Sequence, residues 1–516
     1  MSPLRSASVV LLLATSVLGC GDGTERSPAS PAGVGGGAGT SVGASGKGGM
    51  SGSAAAGKGG AAATGGVGSG GASGKGTSGA GGAGGAGGAA VGGAGGSPKG
   101  GLGGAGGAAG KAGGGAAGAQ GGGSSGRPFP DTSDAIAILA DQLPTGMSAG
   151  QQQFAATHFV GSQKLVLDVS KPLRAINPGF LVLHYHLGIW QSAPSVSFIV
   201  DGTTWGNDFP TVDANEAWFW HNPEGKRVAS TADQKLLMNL ADPAFRAYWA
   251  KSIAAQTKAG DYDGVFADSS SPPLLQGEVG GQDARLAGTG VKDSPIAEWG
   301  GKTYIQVWQD FMVSFDSALA AEGIPLIPNE GDFVTTWDPT NYALTAGVFS
   351  EGFASPSFST ADWKASTNQL LALSASKILI LQNYLGSAAD LAVRRFYLAN
   401  YLLVRGARTY LDYFAKGPLE WYPEWGIDTG AAKKTATKVD ELLTPEGAYR
   451  RDFAKATVLV NPTDLPITVA LGATMKRVEP QGGGAIDTTG ATPGTLGGTA
   501  TSSIVVPPHG AEILIP

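Results

Sequence analysis

The 516-residue chain has one cysteine, five histidines and only 15% charged residues. A single cysteine leaves no intramolecular disulfide, and five histidines restrict the metal sites that could be built. No block of Lys and Arg occurs and the formal net charge is −6. That balance excludes the basic surface of a nucleic-acid binder or of a protein held to a membrane by charge. No glycine-rich loop ends in Gly-Lys-Ser/Thr, so a phosphate cradle is missing. No Gly-x-Ser-x-Gly sits between a strand and a helix, which argues against a serine hydrolase. No cofactor and no metal are expected, and the partners should be neutral or small.

What is abundant is glycine, 85 residues, concentrated before residue 127. Residues 1–20 read as an export signal: Arg5 supplies charge, Val9 to Leu13 begins an apolar stretch, and Val17-Leu18-Gly19-Cys20 closes it. The stretch is too short to span a bilayer. The lone cysteine follows a small residue at its end and resembles the lipobox of bacterial lipoproteins, which makes Cys20 the expected lipidation site. Gly21 follows Cys20 where an inner-membrane retention Asp would stand, so the expected location is exported, lipid-anchored, at the outer membrane or cell surface. Residues 21–126 are Gly/Ala/Ser with scattered Lys and show no apolar periodicity. Nothing there offsets the entropy of ordering, so the segment reads as a disordered tether. About 100 such residues span roughly 50–60 Å.

After Pro128 and Pro130 short apolar runs alternate with helical stretches. Strands are expected at Phe154–Val160, Phe180–Tyr185, Lys235–Leu240, Asp263–Ala267, Ile324–Pro328, Gly347–Ser350, Lys377–Gln382 and Arg408–Tyr413. Helices with apolar residues at spacings of three and four lie at Pro243–Lys258, Thr303–Glu322, Asp362–Ser374 and Ala388–Leu403. Asp242-Pro243 opens one helix and Gly323 closes the next. Eight strands, most followed by a helix, predict an α/β fold, a (β/α)8 TIM barrel over 127–445. Short β-like runs at Ala456–Val460, Ile467–Leu471, Ser503–Val506 and Glu512–Ile515 predict a small C-terminal antiparallel β-sandwich over 446–516.

In a barrel the chemistry sits at the C-terminal ends of the strands. Those ends supply His184 and His186, Asp268, Asn329 and Glu330, Glu351, Asn383 and Tyr384, and Asp412. Trp190, Trp205, Trp218, Trp220, Trp421, Tyr422 and Trp425 lie in or near the loops. Carboxylates, amides and aromatic faces suit a sugar: one carboxyl protonates the leaving oxygen while a second attacks, or activates water at, the anomeric carbon. Asp263, at the start of its strand, reads as structural.

Tyr262-Asp-Gly-Val-Phe-Ala-Asp268, Asn329-Glu-Gly331, Ser350-Glu-Gly352, Arg405-Gly406 and the tail Arg451-Asp-Phe453, Val458-Leu-Val-Asn-Pro-Thr463 and Val506-Pro507 resemble a hypothetical glycosyl-hydrolase-like family of bacterial barrels. The Asp-Gly-Val-Phe-x-Asp strand with a later strand-end Glu is also similar to the endo-α-1,4-polygalactosaminidase group. That resemblance implies Asp268 as catalytic nucleophile and Glu351 as acid/base. Glu330 competes for the acid role and otherwise binds substrate. His184, His186, Trp190, Trp218, Asn329, Asn383, Tyr384, Asp412 and Trp425 are the remaining candidates for substrate binding.

The leading expectation is a glycoside hydrolase cutting an extracellular polysaccharide or oligosaccharide within reach of its tether. A non-catalytic glycan-binding surface lipoprotein is the alternative. A metal-dependent hydrolase or deacetylase using His184 and His186 is a third, since residues two apart on a strand share a face; it needs further histidines, and after His221 only His509 remains.

Overall fold

The computed structural model describes residues 126–192, 199–200, 203–204, 209–222, 224–229, 235–271, 299–331, 343–415, 417 and 419–516. The export signal with Cys20, the tether up to residue 125 and Trp205 lie outside the described residues.

Eight strands run parallel: β1 Leu139–Gln142, β2 Gly161–Lys164, β3 Leu181–Leu187, β4 Gly264–Asp268, β5 Leu326–Pro328, β6 Gly347–Glu351, β7 Ile378–Tyr384 and β8 Thr409–Phe414. Strands β1 to β5 pair in chain order, as do β6 to β8. Parallel bridges Asn329 to Phe349 and Ile138 to Leu411 link the two groups at both seams, so the series returns to β1. Helices α1 Ala149–His158, α2 Leu167–Ile176, α3 Pro243–Ala259, α4 Tyr304–Ala320, α5 Thr360–Ser374 and α6 Leu391–Val404 connect them.

Local chemistry explains the helix starts. Asp242 accepts from the Phe245 amide at 2.8 Å, with Pro243 at the first helical position of α3. Thr303 and Gln306 form a capping box on α4. A buried stripe of Phe245, Trp249, Ile253 and Thr257 turns α3 onto the sheet.

Two expected strands are not strands of the parallel series. Residues 154–158 of the first form the last turns of α1, which opens with a Ser148/Gln151 capping box. Its short apolar run imitates a strand, and the cap is the signal that separates the two readings. The Lys235–Leu240 segment forms only a two-residue strand, Leu236–Leu237, antiparallel to Trp190–Gln191. The true first and second strands are β1 and β2. Because two extra strands replace two missed ones, Asp268 still ends the fourth.

Inside the series a buried cluster takes Leu139 from β1, Leu183 from β3, Phe266 from β4, Ile327 from β5, Phe349 from β6, Ile380 from β7 and Tyr410 from β8. This apolar layer is the floor on which the site stands.

The tail forms β9 Tyr449–Asp452, β10 Thr457–Asn461, β11 Ile467–Gly482, β12 Gly494–Val506 and β13 Gly510–Ile515. They make a single antiparallel sheet in the order β9-β10-β13-β11-β12, where two facing sheets were expected. Val458, Val460 and Ile513 join the cluster that holds Leu398 and Leu402 of α6. Helix α6 covers this face, while Leu459 and Leu514 on the opposite face pack with Val469 and Leu471 of β11 and Ile504 and Val506 of β12. Arg394 of α6 fixes the junction: it pairs with Glu424 at 2.5 Å, both side chains fully buried, and donates to the Gly482 carbonyl at 2.8 Å.

Candidate active site

Side chains alternate along a strand, so the residue two positions beyond each apolar-floor residue points the same way. Applied to Leu139, Phe266, Ile327, Phe349, Ile380 and Tyr410, this step yields Asp141, Asp268, Asn329, Glu351, Gln382 and Asp412. One polar layer thus lies above the floor at the C-terminal ends of the strands.

Asn329 ties that layer together. Its Nδ2 donates to Asp268 Oδ1 at 2.9 Å and to Glu351 Oε2 at 2.8 Å, while its Oδ1 accepts the Gly331 amide at 3.0 Å. The last contact fixes which end of the amide is the donor. The two carboxylate oxygens can be no farther apart than the two bond lengths combined, 5.7 Å. Two hydrogens on a planar NH2 diverge by roughly 120°, which sets the separation at about 5 Å.

Each carboxylate has a further partner. Tyr185 donates to Asp268 Oδ2 at 2.7 Å and the Ser269 amide to Oδ1 at 2.8 Å. Tyr384 donates to Glu351 Oε1 at 2.6 Å and receives Gln382 Nε2 at 3.1 Å. Lys164 pairs with Asp141 at 2.8 Å and lies 5.4 Å from the centre of the Tyr185 ring. Burial would push the Asp268 carboxyl up, but the Lys164 and Lys235 charges and the Tyr185 and Asn329 hydrogen bonds outweigh it. The group is held below the ordinary range and is ionised at neutral pH.

The backbone accommodates this placement. Ser269, directly after Asp268, has φ +53, a left-handed conformation uncommon outside glycine. Gly331 and Gly352 have φ +77 and +78. A glycine in the left-handed region lets the chain turn off β5 and β6 just after Asn329-Glu330 and Glu351, which is the physical content of the two Glu-Gly motifs.

The other candidates fall elsewhere. His184 and His186 have the opposite parity to Tyr185. His184 contacts Thr257 Oγ1 at 2.8 Å and stacks on Tyr262, with burial pushing its pKa down to about 3. His186 packs edge-on against Trp249, ring centres 4.8 Å apart. Both face α3, so neither is placed to bond a substrate hydroxyl. Among the described residues no group of three His, Cys, Asp or Glu side chains is arranged to hold a metal.

Glu330 is 1% exposed, has no hydrogen-bond partner on either carboxyl oxygen and is pushed well up by burial. Its carboxyl makes no hydrogen bond to Asp268 or Glu351; the adjacent Asn329 bridges the two. Asn383 bonds the Ala354 carbonyl at 2.5 Å and braces the loop after β6. Trp190 is buried in the packing around α3, and Trp218 lies 4.8 Å from Tyr248; neither reaches the pair. Trp425 and Asp412 line a recess with Asp141 near the ends of β1 and β8. Asp263 sits at the far end of β4, ion-paired to Arg174 and Arg127 at 2.7 and 3.1 Å. Sequence reasoning missed Lys164 and Asp141 and gave no role to Tyr185 and Gln382, which stand at the ends of expected strands; parity along β3 and β7 was the available signal for those two.

Residues 174–457, more than half of the chain, match the hypothetical glycosyl hydrolase family 15. The chain belongs to that family. The match contains β3 to β8 and with them Tyr185, Asp268, Asn329, Glu351 and Tyr384. No curated protein matches the chain. Among solved structures, the α-amylase from Malbranchea cinnamomea is similar at 11% identity and TM-score 0.37, over 74% of this chain and 96% of that one. The trehalulose synthase MutB from Pseudomonas mesoacidophila MX-45 gives 9%, 0.39, 76% and 100%. A cycloisomaltooligosaccharide glucanotransferase from Paenibacillus sp. gives 11%, 0.34 and 74%, and this chain spans about half, 54%, of that one.

Proposed function

We propose that this member of hypothetical glycosyl hydrolase family 15 is a retaining glycosidase, its eight parallel strands forming a (β/α)8 barrel with the active site at the C-terminal rim. The observation that carries the reading is the shared Asn329 amide, which holds the Asp268 and Glu351 oxygens within 5.7 Å. Retaining enzymes separate their carboxyls by about 5–5.5 Å, whereas inverting ones need about 6.5–9.5 Å to admit a water.

Asp268, ionised, attacks the anomeric carbon while Glu351 gives its proton to the departing glycosidic oxygen. The glycosyl ester on Asp268 is then cleaved by water, whose proton returns to Glu351, and the Asp268 carboxylate is released. Tyr185 and Asn329 aim Asp268; Tyr384 and Asn329 aim Glu351. The substrate is a polysaccharide outside the cell, and the lipid on Cys20 with the glycine-rich tether holds the enzyme at the surface within reach of it. An activated 2-deoxy-2-fluoro glycoside traps the ester of a retaining enzyme; the adduct should map to Asp268 by mass spectrometry.

A further inference from the structure

Tyr384, the last residue of β7, is placed the wrong way round for a tyrosine at a protein surface. Such a residue ordinarily packs its ring inward and leaves its hydroxyl in water. Here the hydroxyl is engaged inward, donating to Glu351 Oε1 at 2.6 Å and accepting from Gln382 Nε2 at 3.1 Å. The residue is nevertheless 43% exposed, so the exposure falls on the ring. It is the only exposed aromatic side chain among the described residues. An apolar ring face left in water is a surface that an apolar partner covers favourably.

The ring is held in place before any partner arrives. Phe414, its register partner on β8, packs at 80° to it with ring centres 5.1 Å apart, and the Leu385 amide donates to the Phe414 carbonyl at 2.8 Å. A fixed side chain loses little rotamer freedom on binding. Strand order sets its position relative to the carboxylates. Asp268, Asn329, Glu351 and Tyr384 stand at the ends of β4, β5, β6 and β7, which neighbour one another in that order. Asn329 takes Glu351 Oε2 from the Asp268 side and Tyr384 takes Oε1. Tyr384 therefore lies beyond the acid, away from the nucleophile. In a retaining displacement the nucleophile and the departing oxygen occupy opposite sides of the anomeric carbon, and the acid meets that oxygen. The group it carries extends past Glu351 and over Tyr384.

Resting on the glycosidase reading above, we propose that the Tyr384 ring is the platform for the leaving group, and that this leaving group is itself a pyranose whose C–H face stacks on the ring. The substrate class is then a linkage between two sugars, not a glycoside of a small alcohol. The same platform works in reverse when an acceptor sugar attacks the glycosyl ester. The acceptor hydroxyl oxygen bonds to the anomeric carbon, the ester C–O bond breaks, the hydroxyl proton passes to Glu351, and Asp268 is released as carboxylate.

The test traps the full chain with 2,4-dinitrophenyl 2-deoxy-2-fluoro glycosides and follows loss of the adduct by intact mass. Adduct loss is compared in buffer, with methanol, and with the methyl pyranosides of glucose, galactose, mannose and N-acetylglucosamine. At least one pyranoside should speed the loss about tenfold and saturably, which methanol at equal concentration should not. Tyr384→Phe keeps the ring and loses the hydroxyl; it should slow both reactions and hold their ratio within about threefold. Tyr384→Ala should abolish the acceleration, as should Tyr384→Leu, which keeps apolar bulk and replaces Ala if that variant does not fold. Equal acceleration without the aromatic ring, or an adduct whose loss no pyranoside speeds, removes the platform and leaves the glycosidase. Saturation-transfer NMR of the same pyranosides on the resting chain is read in parallel. Should no adduct form, binding kept in Tyr384→Phe and lost in Tyr384→Ala retains the sugar platform and discards the glycosidase, and absence of such binding discards both.

Discussion

Tyr185 donates its phenolic proton to Asp268 across 2.7 Å, from the strand next to the one that carries the carboxylate. A hydrogen bond to a charged group contributes about 1.5–3 kcal/mol. Tyr185→Phe should therefore lower kcat/KM roughly ten- to a hundred-fold. Because the bond favours ionised Asp268, its loss should also move the acid limb of the pH–rate profile to higher pH. Steady-state kinetics across pH checks both effects.

Lys164 acts on the same carboxylate through charge. Replacing it by Met removes an opposite charge from Asp268, so the acid limb should again move up. The change also leaves Asp141 buried without its cation, at a cost of about 3 kcal/mol. Asp141→Asn added to Lys164→Met should recover stability in denaturant melts and leave the shifted pH profile unchanged.

The position between the carboxylates requires a neutral donor. Asn329→Asp puts a third acid between two others and removes both hydrogen bonds. Activity should fall at least about a thousandfold, with the loss mainly in kcat because the interaction is with the reacting groups. Circular dichroism should show the fold retained.

Glu330 separates the two readings of the Asn329-Glu330 motif. Its pKa is raised well above the usual value by burial, so the unfolded chain ionises it first and stability falls as pH rises past the ordinary Glu range. Glu330→Gln should raise the melting temperature at pH 7, leave it nearly unchanged at pH 4, and keep kcat within about twofold. A loss of activity like that of Glu351→Gln would transfer the acid role to Glu330.

The order of the later strands was legible because β4, β6, β7 and β8 are short apolar runs with helices between them. The first two were not: Gly161-Ser-Gln-Lys164 has no apolar run, and the more apolar segment before it is capped as a helix by Ser148. At the site, the residue types at strand ends were visible, but their faces were not. His184 and His186 attract attention by chemistry, while the parity set by Leu183 and Phe266 turns Tyr185 inward. Lys164 reaches the pair from β2 across β3, a strand neighbourhood that no local pattern encodes. The pairing of the C-terminal strands was hidden for a similar reason: one face of their sheet is covered by α6, distant in sequence.

The central claim is that Asp268 becomes covalently glycosylated during turnover. The direct measurement is intact-mass and peptide mapping after incubation with a panel of 2,4-dinitrophenyl 2-deoxy-2-fluoro glycosides, with Asp268→Asn as control. The account predicts one glycosyl adduct on the peptide containing Asp268, absent in the variant. A label on another carboxylate, or turnover of unmodified substrate with inversion at the anomeric carbon by proton NMR, would contradict it.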